Sequence, residues 1–188
     1  MSAETNAKRD RLRALIAERS FSQGPAVTLA SGKQSNFYFN MKPTMLNPEG
    51  AALIGALILD QLSGERIDLA GGLELGAIPI ACALSVVSHQ QGAPIPAFIV
   101  RKQAKEHGAK QRIEGFAPGE GLAGKSVLMV EDVTTTGGSL LDAIRQVREA
   151  GGVVKRAITI VDRLEGAGAA LQAEGVSLSA LLTVKDFL

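Results

Sequence analysis

The chain has a single cysteine, so no internal disulfide can stabilise it. That residue, Cys82, stands in an apolar stretch, which favours a buried structural thiol over a nucleophile. No apolar run approaches the roughly 20 residues that a membrane-spanning helix requires, and the polar residues 1–13 carry both charge signs, unlike a secretory signal. With a net charge of only +1, nothing indicates binding to nucleic acid or to a membrane surface. We therefore expect a soluble, cytoplasmic protein.

The length of 188 residues suits one domain with a substantial core, and hydrophobic residues make up 46% of the chain. No internal repeat and no linker rich in Pro, Gly or Ser divides it, so we predict a single domain over residues 1–188. Helical and strand patterns alternate through the middle and the end of the chain, which indicates an α/β fold with a mainly parallel sheet. Residues 1–45 do not follow this alternation, and we expect them to form a small extra layer over the site.

The spacing of apolar residues, helix-capping residues, and the glycines and prolines that end elements predict where the helices and strands lie. Helices are predicted near residues 5–19, 47–64, 78–89, 139–151 and 167–174. Strands are predicted near residues 37–39, 67–70, 96–100, 127–131, 153–161 and 180–184. A glycine-bearing loop is expected at 71–76 and a long polar loop at 101–124.

The most informative segment is residues 127–139, Val-Leu-Met-Val-Glu-Asp-Val-Thr-Thr-Thr-Gly-Gly-Ser. An apolar run predicts a buried parallel strand, and Glu131 and Asp132 stand at its carboxyl end. The small residues that follow can surround a phosphate with backbone N–H groups, and the next helix adds its positive N-terminus. An ordinary strand-to-helix turn is the alternative, but two adjacent acids are better explained by bound sugar hydroxyls or a cation. A P-loop is excluded because no Lys follows the glycines. The pattern indicates a ribose-5-phosphate site.

Other segments carry possible functional groups. Residues 101–112 include five Lys or Arg and one His after a predicted strand, which suits either a solvated loop or a mobile lid over a polyphosphate. Residues 71–76 form a second glycine-bearing junction that could hold another phosphate. Residues 37–39 are three consecutive aromatics, suited to a plain edge strand or to a flat ligand. Arg163 could take a surface ion pair or a substrate carboxylate.

Together these segments resemble the type I phosphoribosyltransferases, and within them the orotate phosphoribosyltransferase family. Residues 127–139 resemble the motif that binds phosphoribosyl diphosphate (PRPP), and residues 101–108 resemble that family's catalytic loop. Residues 31–40 resemble its N-terminal orotate segment. The resemblance covers roughly residues 25–185 and implies a type I phosphoribosyltransferase fold, with residues 1–45 and the C-terminal end forming a hood.

The resemblance also implies roles for individual residues. The catalytic residues would be Lys105, His107, Glu131 and Asp132. The PRPP-binding residues would be Arg101, Lys102, Lys105, His107, Glu131, Asp132, Val133, Thr134, Thr135, Thr136, Gly137, Gly138 and Ser139. The orotate-binding residues would be Tyr38, Phe39, Thr135 and Arg163. Mg²⁺ would be the cofactor, held mainly by substrate and water rather than directly by protein ligands. A homodimer is implied, because in the family the loop covers the neighbouring subunit's site.

The implied reaction transfers the 5-phosphoribosyl group of PRPP to orotate in pyrimidine biosynthesis, through an oxocarbenium-like state. This chain departs from the family where Ala30 and Gly76 replace common lysines; Lys33 or Lys42 would be the candidates to compensate. A purine-base phosphoribosyltransferase, a non-catalytic PRPP-binding regulator and a phospho-acceptor receiver are the alternative interpretations. Arg163 and the aromatic segment disfavour the first, the small net charge gives no support to the second, and a receiver needs no cationic loop.

Overall fold

The computed structural model describes residues 2–28, 34–103 and 112–188. Its helices are α1 (Ala3–Arg19), α2 (Lys42–Met45), α3 (Pro48–Gln61), α4 (Ala77–Gln90), α5 (Gly138–Glu149) and α6 (Ala167–Ala173), with a 3₁₀ turn at Val184–Asp186. Its strands are β1 (Phe21–Thr28), β2 (Gln34–Phe39), β3 (Leu69–Leu73), β4 (Ala97–Val100), β5 (Ile113–Glu114), β6 (Ser126–Thr134), β7 (Val153–Asp162) and β8 (Ser177–Thr183).

The central sheet has the strand order β5-β4-β3-β6-β7-β8. All neighbours in it run parallel except β5, which pairs antiparallel with β4. Alternate residues of β6 enter opposite cores. Leu128 and Val130 belong to the core that includes residues of α1, α3 and α4, whereas Val127 and Met129 belong to the core that includes residues of α5 and α6. A strand covered on both faces reads as a continuous apolar run, which is how β6 reads in the sequence. The predicted α/β fold with a mainly parallel sheet is confirmed.

A second layer consists of α1 and the antiparallel pair β1–β2. Rings of Phe21, Phe37, Phe39 and Phe187 pack together, with centroids 5.0–6.3 Å apart in the contacting pairs. Arg9 of α1 donates from Nε to the Leu181 carbonyl at 3.0 Å and from Nη2 to Asp186 at 2.7 Å. This layer and the 3₁₀ turn at Val184–Asp186, which together we call the hood, therefore join the beginning of the described chain to its last strand.

Several sequence expectations need correction. Strand β1 was not expected, because Gly24 and Pro25 interrupt its pattern; the ladder accommodates them where its register shifts between Gln23 and Val27. The glycines of 71–76 begin inside β3 rather than in a loop, since Gly71 and Gly72 pair with Phe98 and Ile99 of β4. The expected polar loop at 101–124 contains β5.

Cys82 differs from its expectation as well, because its side chain is exposed on α4 rather than buried. Its neighbours Ala81 and Leu84 face the core, and helical geometry turns residue 82 away from them. Among the described residues, no helix is long and apolar enough to cross a membrane.

Candidate active site

The order in which successive strands are added to the sheet reverses between the parallel neighbours β3 and β6. From β3 it crosses through α4 to β4 on one side, and from β6 it crosses through α5 to β7 on the other. Helices α4 and α5 lie on opposite faces of the sheet. In open α/β sheets, ligands bind at the carboxyl ends of the strands at such a switch point. The segments after β3 and β6 therefore define the candidate site.

The acid pair lies within the last four residues of β6, because the strand continues to Thr134. Glu131 is level with Thr159 of β7, and both Glu131 and Asp132 are half-buried. Asp132 Oδ1 accepts a hydrogen bond from the Val133 N–H at 2.9 Å. The pair is thus fixed by the strand and still reachable by a ligand.

The environment of Glu131 strongly disfavours its charged form. Burial, the Asp132 charge and a side-chain hydrogen bond with Asp132 raise the pKa of Glu131 from 4.5 to about 8, while the Lys102 charge lowers it. Two carboxylates that share a poorly hydrated site cannot easily both ionise. A cation or hydroxyl donors bound between them would relieve this repulsion.

The residues after the strand form a small cavity of about 260 Å³. It is lined by Glu131, Val133, Thr134, Thr135, Thr136, Gly137, Gly138, Ser139 and Leu140. Gly137 has a φ of +86°, which favours glycine, and in the described structure no side chain caps the start of α5. The first N–H groups of a helix have no intrahelical partner, so this end can bind an anion.

A larger cleft of about 750 Å³ lies where the chain enters β3 and β4, lined by residues 59–67, 91 and 93–95 among others. It is at the amino ends of these strands, opposite to the switch point. Because size alone does not identify a ligand site, and sheet ligands bind at carboxyl ends, we place the site at the smaller cavity.

The junction after β3 lies directly beside the acid pair. A Cβ atom at Gly76 would come within 2.7 Å of Asp132 Oδ1 and 2.8 Å of its Cγ. Gly76 therefore leaves the space that the Asp132 carboxylate occupies. Gly76, which stands where the family commonly has a lysine, therefore lies against Asp132, the acid predicted to bind the sugar. The sequence alone could not show this contact.

The described part of the basic segment begins directly after β4. Arg101 is half-buried and pairs with Glu114 at 3.1 Å, whereas Lys102 is exposed and close enough for its charge to affect Glu131. Lys105 and His107 lie outside the described residues, so their expected roles stay predictions.

Arg163 follows β7 and is only 7% exposed. Its N–H donates to the Thr134 carbonyl at 3.0 Å, which ties it to the end of β6. Its Nε lies 2.8 Å from Glu165 Oε1, and its guanidinium lies 4.5 Å from the centroid of the Phe37 ring. Arg163 therefore joins the end of β6 to Phe37 of the hood, in a setting more enclosed than a surface ion pair.

The aromatic segment splits its side chains between two faces of β2. Phe37 and Phe39 point to the hood core, where Phe39 is 6% exposed, while Tyr38 is 49% exposed. Phe37, and neither Tyr38 nor Phe39, is the aromatic that contacts Arg163. The orotate-binding roles of Tyr38 and Phe39 stay predictions.

Sequence reasoning missed three residues of this region. Phe37 was recognised only as one of three aromatics, and the strand alternation that aligns it with Phe39 is the signal that distinguishes it from Tyr38. Glu165 and Glu74 contact Arg163 and Arg101, respectively. Glu165 is two positions from its partner, a detectable spacing, whereas Glu74 is brought to Arg101 only by the pairing of β3 with β4.

No group of three or more His, Cys, Asp or Glu side chains that could hold a metal occurs in residues 2–28, 34–103 and 112–188. Glu131 and Asp132 nevertheless supply two adjacent carboxylates. Mg²⁺ commonly binds through one or two carboxylates together with waters and substrate phosphates, so the donor set fits a substrate-held Mg²⁺.

Comparison with known proteins gives consistent findings. Residues 48–174 match the phosphoribosyl transferase domain family. Over 183 residues the chain is 51% identical to the orotate phosphoribosyltransferase of Rhodopseudomonas palustris (strain BisB5), with 97% of each chain covered. The structure is also similar to crystal structures of Mycobacterium tuberculosis H37Rv orotate phosphoribosyltransferase. The complex with Fe(III) dicitrate has a TM-score of 0.82 at 39% identity, and the complex with PRPP has 0.78 at 36%; both cover 96% of this chain and 98% of the other.

Proposed function

Because the chain belongs to the orotate phosphoribosyltransferase family, we propose that it transfers the 5-phosphoribosyl group of PRPP to orotate, giving orotidine 5′-monophosphate and diphosphate. The observation that carries the proposal is the acid pair of β6 beside the uncapped start of α5 at the sheet's switch point. This arrangement offers acceptors for ribose hydroxyls next to donors for a phosphate. The reaction is a step of pyrimidine biosynthesis.

In the proposed reaction, the bond between ribose C1 and the diphosphate oxygen breaks. Orotate N1 loses its proton to solvent and forms a bond to C1 from the opposite face. The diphosphate leaves with the bonding electrons. The protein's part is to align the two reactants and to stabilise negative charge on the leaving group. Arg101 and Lys102, at the described start of the basic segment, would serve the second task. The family resemblance assigns the same task to Lys105 and His107, which lie outside the described residues.

Glu131 and Asp132 would hold the ribose hydroxyls, while the cavity at Thr135–Ser139 would hold the 5-phosphate. The raised pKa of Glu131 supports this assignment, because a carboxyl group that is costly to ionise alone gains from hydroxyl donors or a nearby cation. Mg²⁺, when bound, would neutralise diphosphate charge, and Glu131 and Asp132 are the residues that would face it through hydroxyls and water.

Arg163 would receive the orotate carboxylate, with its position fixed by Phe37 and by the Thr134 carbonyl. We also propose that α1, the β1–β2 pair and the 3₁₀ turn at Val184–Asp186 act as a hood over this end of the site. The contact of Phe37 with Arg163 supports this role, because it connects the hood to the segment after β7.

The assay that tests the function follows orotate depletion with PRPP, with and without Mg²⁺. We expect depletion only when orotate, PRPP and Mg²⁺ are all present. Depletion of hypoxanthine instead of orotate would favour a purine-base transferase. PRPP binding without diphosphate release from either base would favour a non-catalytic regulator.

We further propose a homodimer that uses the exposed face of α4. Cys82 and Val86 lie one helical turn apart on this face, and Val86 is 58% exposed. Leu75, which is 66% exposed, stands just before the helix in the same segment as Gly76. Exposed apolar side chains so close to the site support an interface that continues from it.

Light scattering tests this interface, with Val86→Asp expected to give monomers. Val153→Asp is the matched control, because Val153 is 44% exposed at the start of β7, away from α4. The single Cys82 reports on the same face: a thiol reagent should label it slowly in the wild type and rapidly in Val86→Asp. A wild-type monomer, or a dimer that survives Val86→Asp, would contradict the proposed face.

Sharing of the loop between subunits can be tested by mixing two inactive variants. Lys105→Ala disables the loop and Asp132→Asn disables the sugar site, so a mixed dimer carries one site with both parts intact if the loop crosses over. Random exchange should restore about one quarter of wild-type activity. If each loop serves its own subunit, mixing restores no activity.

The expected cytoplasmic location stays a prediction.

A further inference from the structure

The basic segment leaves β4 and returns at β5 through a stem formed by Arg101, Lys102 and Arg112. The Arg101 N–H donates to the Arg112 carbonyl at 2.7 Å. The Arg112 guanidinium donates from Nε to the Arg101 carbonyl at 3.3 Å and from Nη2 to the Lys102 carbonyl. These bonds close the stem, but they do not determine where it lies relative to the acid pair.

Glu74, the first residue after β3, contacts this stem from the neighbouring strand. Its N–H donates to the Val100 carbonyl at 2.8 Å, which aligns the two strand ends. Its Oε1 accepts from the Lys102 N–H at 2.9 Å, and its Oε2 lies 3.9 Å from Arg101 Nε. The side chain is only 26% exposed, so these contacts are partly shielded from water.

Glu74 also belongs to the segment that reaches the acid pair, since Gly76 lies against the Asp132 carboxylate. One short segment therefore touches both the stem of the basic loop and the sugar-binding acids. The charge of Lys102 acts on Glu131, which shows that the stem is within electrostatic range of the pair.

We propose that Glu74 is a positioning residue that holds the stem of the basic segment, and with it Lys102, toward the diphosphate end of the site. The proposal rests on the proposed function, since it assumes that a diphosphate is bound there. The hydrogen bond to the Lys102 N–H carries this role, and the charge of Glu74 on Arg101 is secondary.

Removing the whole Glu74 side chain would mix two opposite effects. The loss of its negative charge favours an incoming diphosphate, whereas the loss of its acceptor frees the Lys102 backbone. Glu74→Gln removes the charge and keeps an acceptor of the same size, and Glu74→Ala removes both. The difference between these two variants therefore isolates the hydrogen bond.

We expect the kcat/KM for PRPP of Glu74→Ala to be about five- to tenfold below that of Glu74→Gln. The difference should lie mainly in KM, with equal free energies of unfolding by urea. Glu114 supplies the control, because it pairs with the Arg101 side chain at 3.1 Å, so its variants test the charge on Arg101 separately from the Lys102 N–H. Glu114→Ala and Glu114→Gln should differ by less than about twofold.

Calorimetric titration with inorganic diphosphate and Mg²⁺ gives a readout that needs no turnover. We expect Glu74→Ala to bind diphosphate about five- to tenfold more weakly than Glu74→Gln, the same difference as in kcat/KM. Equal affinities and equal kcat/KM in the two Glu74 variants would overturn the proposal, as would an equal difference in the Glu114 pair. If the two Glu74 variants differ in diphosphate affinity as expected but the wild type does not consume orotate, the proposed reaction is refuted and the role of Glu74 stands.

Discussion

Glu131 should make the ligand-free protein less stable as the pH rises, and Glu131→Gln should remove this effect. Its pKa is raised from 4.5 to about 8 in the folded protein, so between these values the folded state holds a proton that the unfolded chain has released. Stability rises with pH only where the unfolded state binds more protons. Here the folded state binds more, so the contribution of Glu131 is present below about pH 4.5 and is lost as the pH approaches about 8.

The rise in the pKa of Glu131 also gives the size of this loss of stability. A tenfold change in proton affinity corresponds to about 1.4 kcal/mol, which gives an upper bound of about 5 kcal/mol. Because Glu131 is half-buried rather than enclosed, we expect water to reduce this to about 2–3 kcal/mol. For a chain of this length, that difference moves the melting temperature by about 5–10 °C.

The measurement is urea unfolding of wild type and Glu131→Gln without ligand, from pH 5 to pH 9. The two should be nearly equal at pH 5, where Gln resembles the protonated carboxyl group, and the variant should be more stable at pH 9. Glu149→Gln, an exposed position at the end of α5, is the matched control and should follow the wild type. Parallel curves for wild type and Glu131→Gln would refute the reasoning about the acid pair.

Three further changes test the site and the hood. Gly76→Ala should displace Asp132, which a Cβ would approach within 2.7 Å, and raise the KM for PRPP about tenfold; steady-state kinetics with an unaltered KM would disprove this contact. Phe39→Ala should lower the free energy of unfolding by about 3 kcal/mol in urea, because its ring is buried in the hood; a loss below about 1 kcal/mol would contradict that packing. Arg163→Lys keeps the charge beside Glu165 but loses the planar fork, so the KM for orotate should rise about tenfold with little change for PRPP. Equal effects on both substrates would argue against a carboxylate role.

The parts of the fold that sequence patterns predicted are those whose signal is local. Strand β6 is covered on both faces, so its apolar run is continuous, and Asn47 caps α3 with bonds to Glu49 and Gly50 as its sequence indicates. The cavity at the start of α5 lies where the sequence predicts a phosphate site, because one contiguous segment supplies its whole lining; its role in binding phosphate stays a prediction.

What the sequence could not show depends on contacts between distant segments. Gly71 and Gly72 read as a turn, yet pairing with β4 keeps them in a strand. Strand alternation groups Phe37 with Phe39, but the contact of Phe37 with Arg163 depends on how β2 packs against the segment after β7, which no local pattern fixes. The contact of Glu74 with Lys102 likewise exists only because two strands end side by side.

The hood has a consequence for the order in which the molecule is completed. The Arg9 guanidinium finds its acceptors at Leu181 and Asp186, more than 170 positions along the chain. At synthesis rates of about 5–20 residues per second, these acceptors are made about 10–30 s after α1. Strands β3 to β7 and the segment after β6 can pair earlier, because they lie within residues 69–162. The strands that carry the candidate site can therefore pair first, and the Arg9 contacts form only after Leu181 and Asp186 have been made.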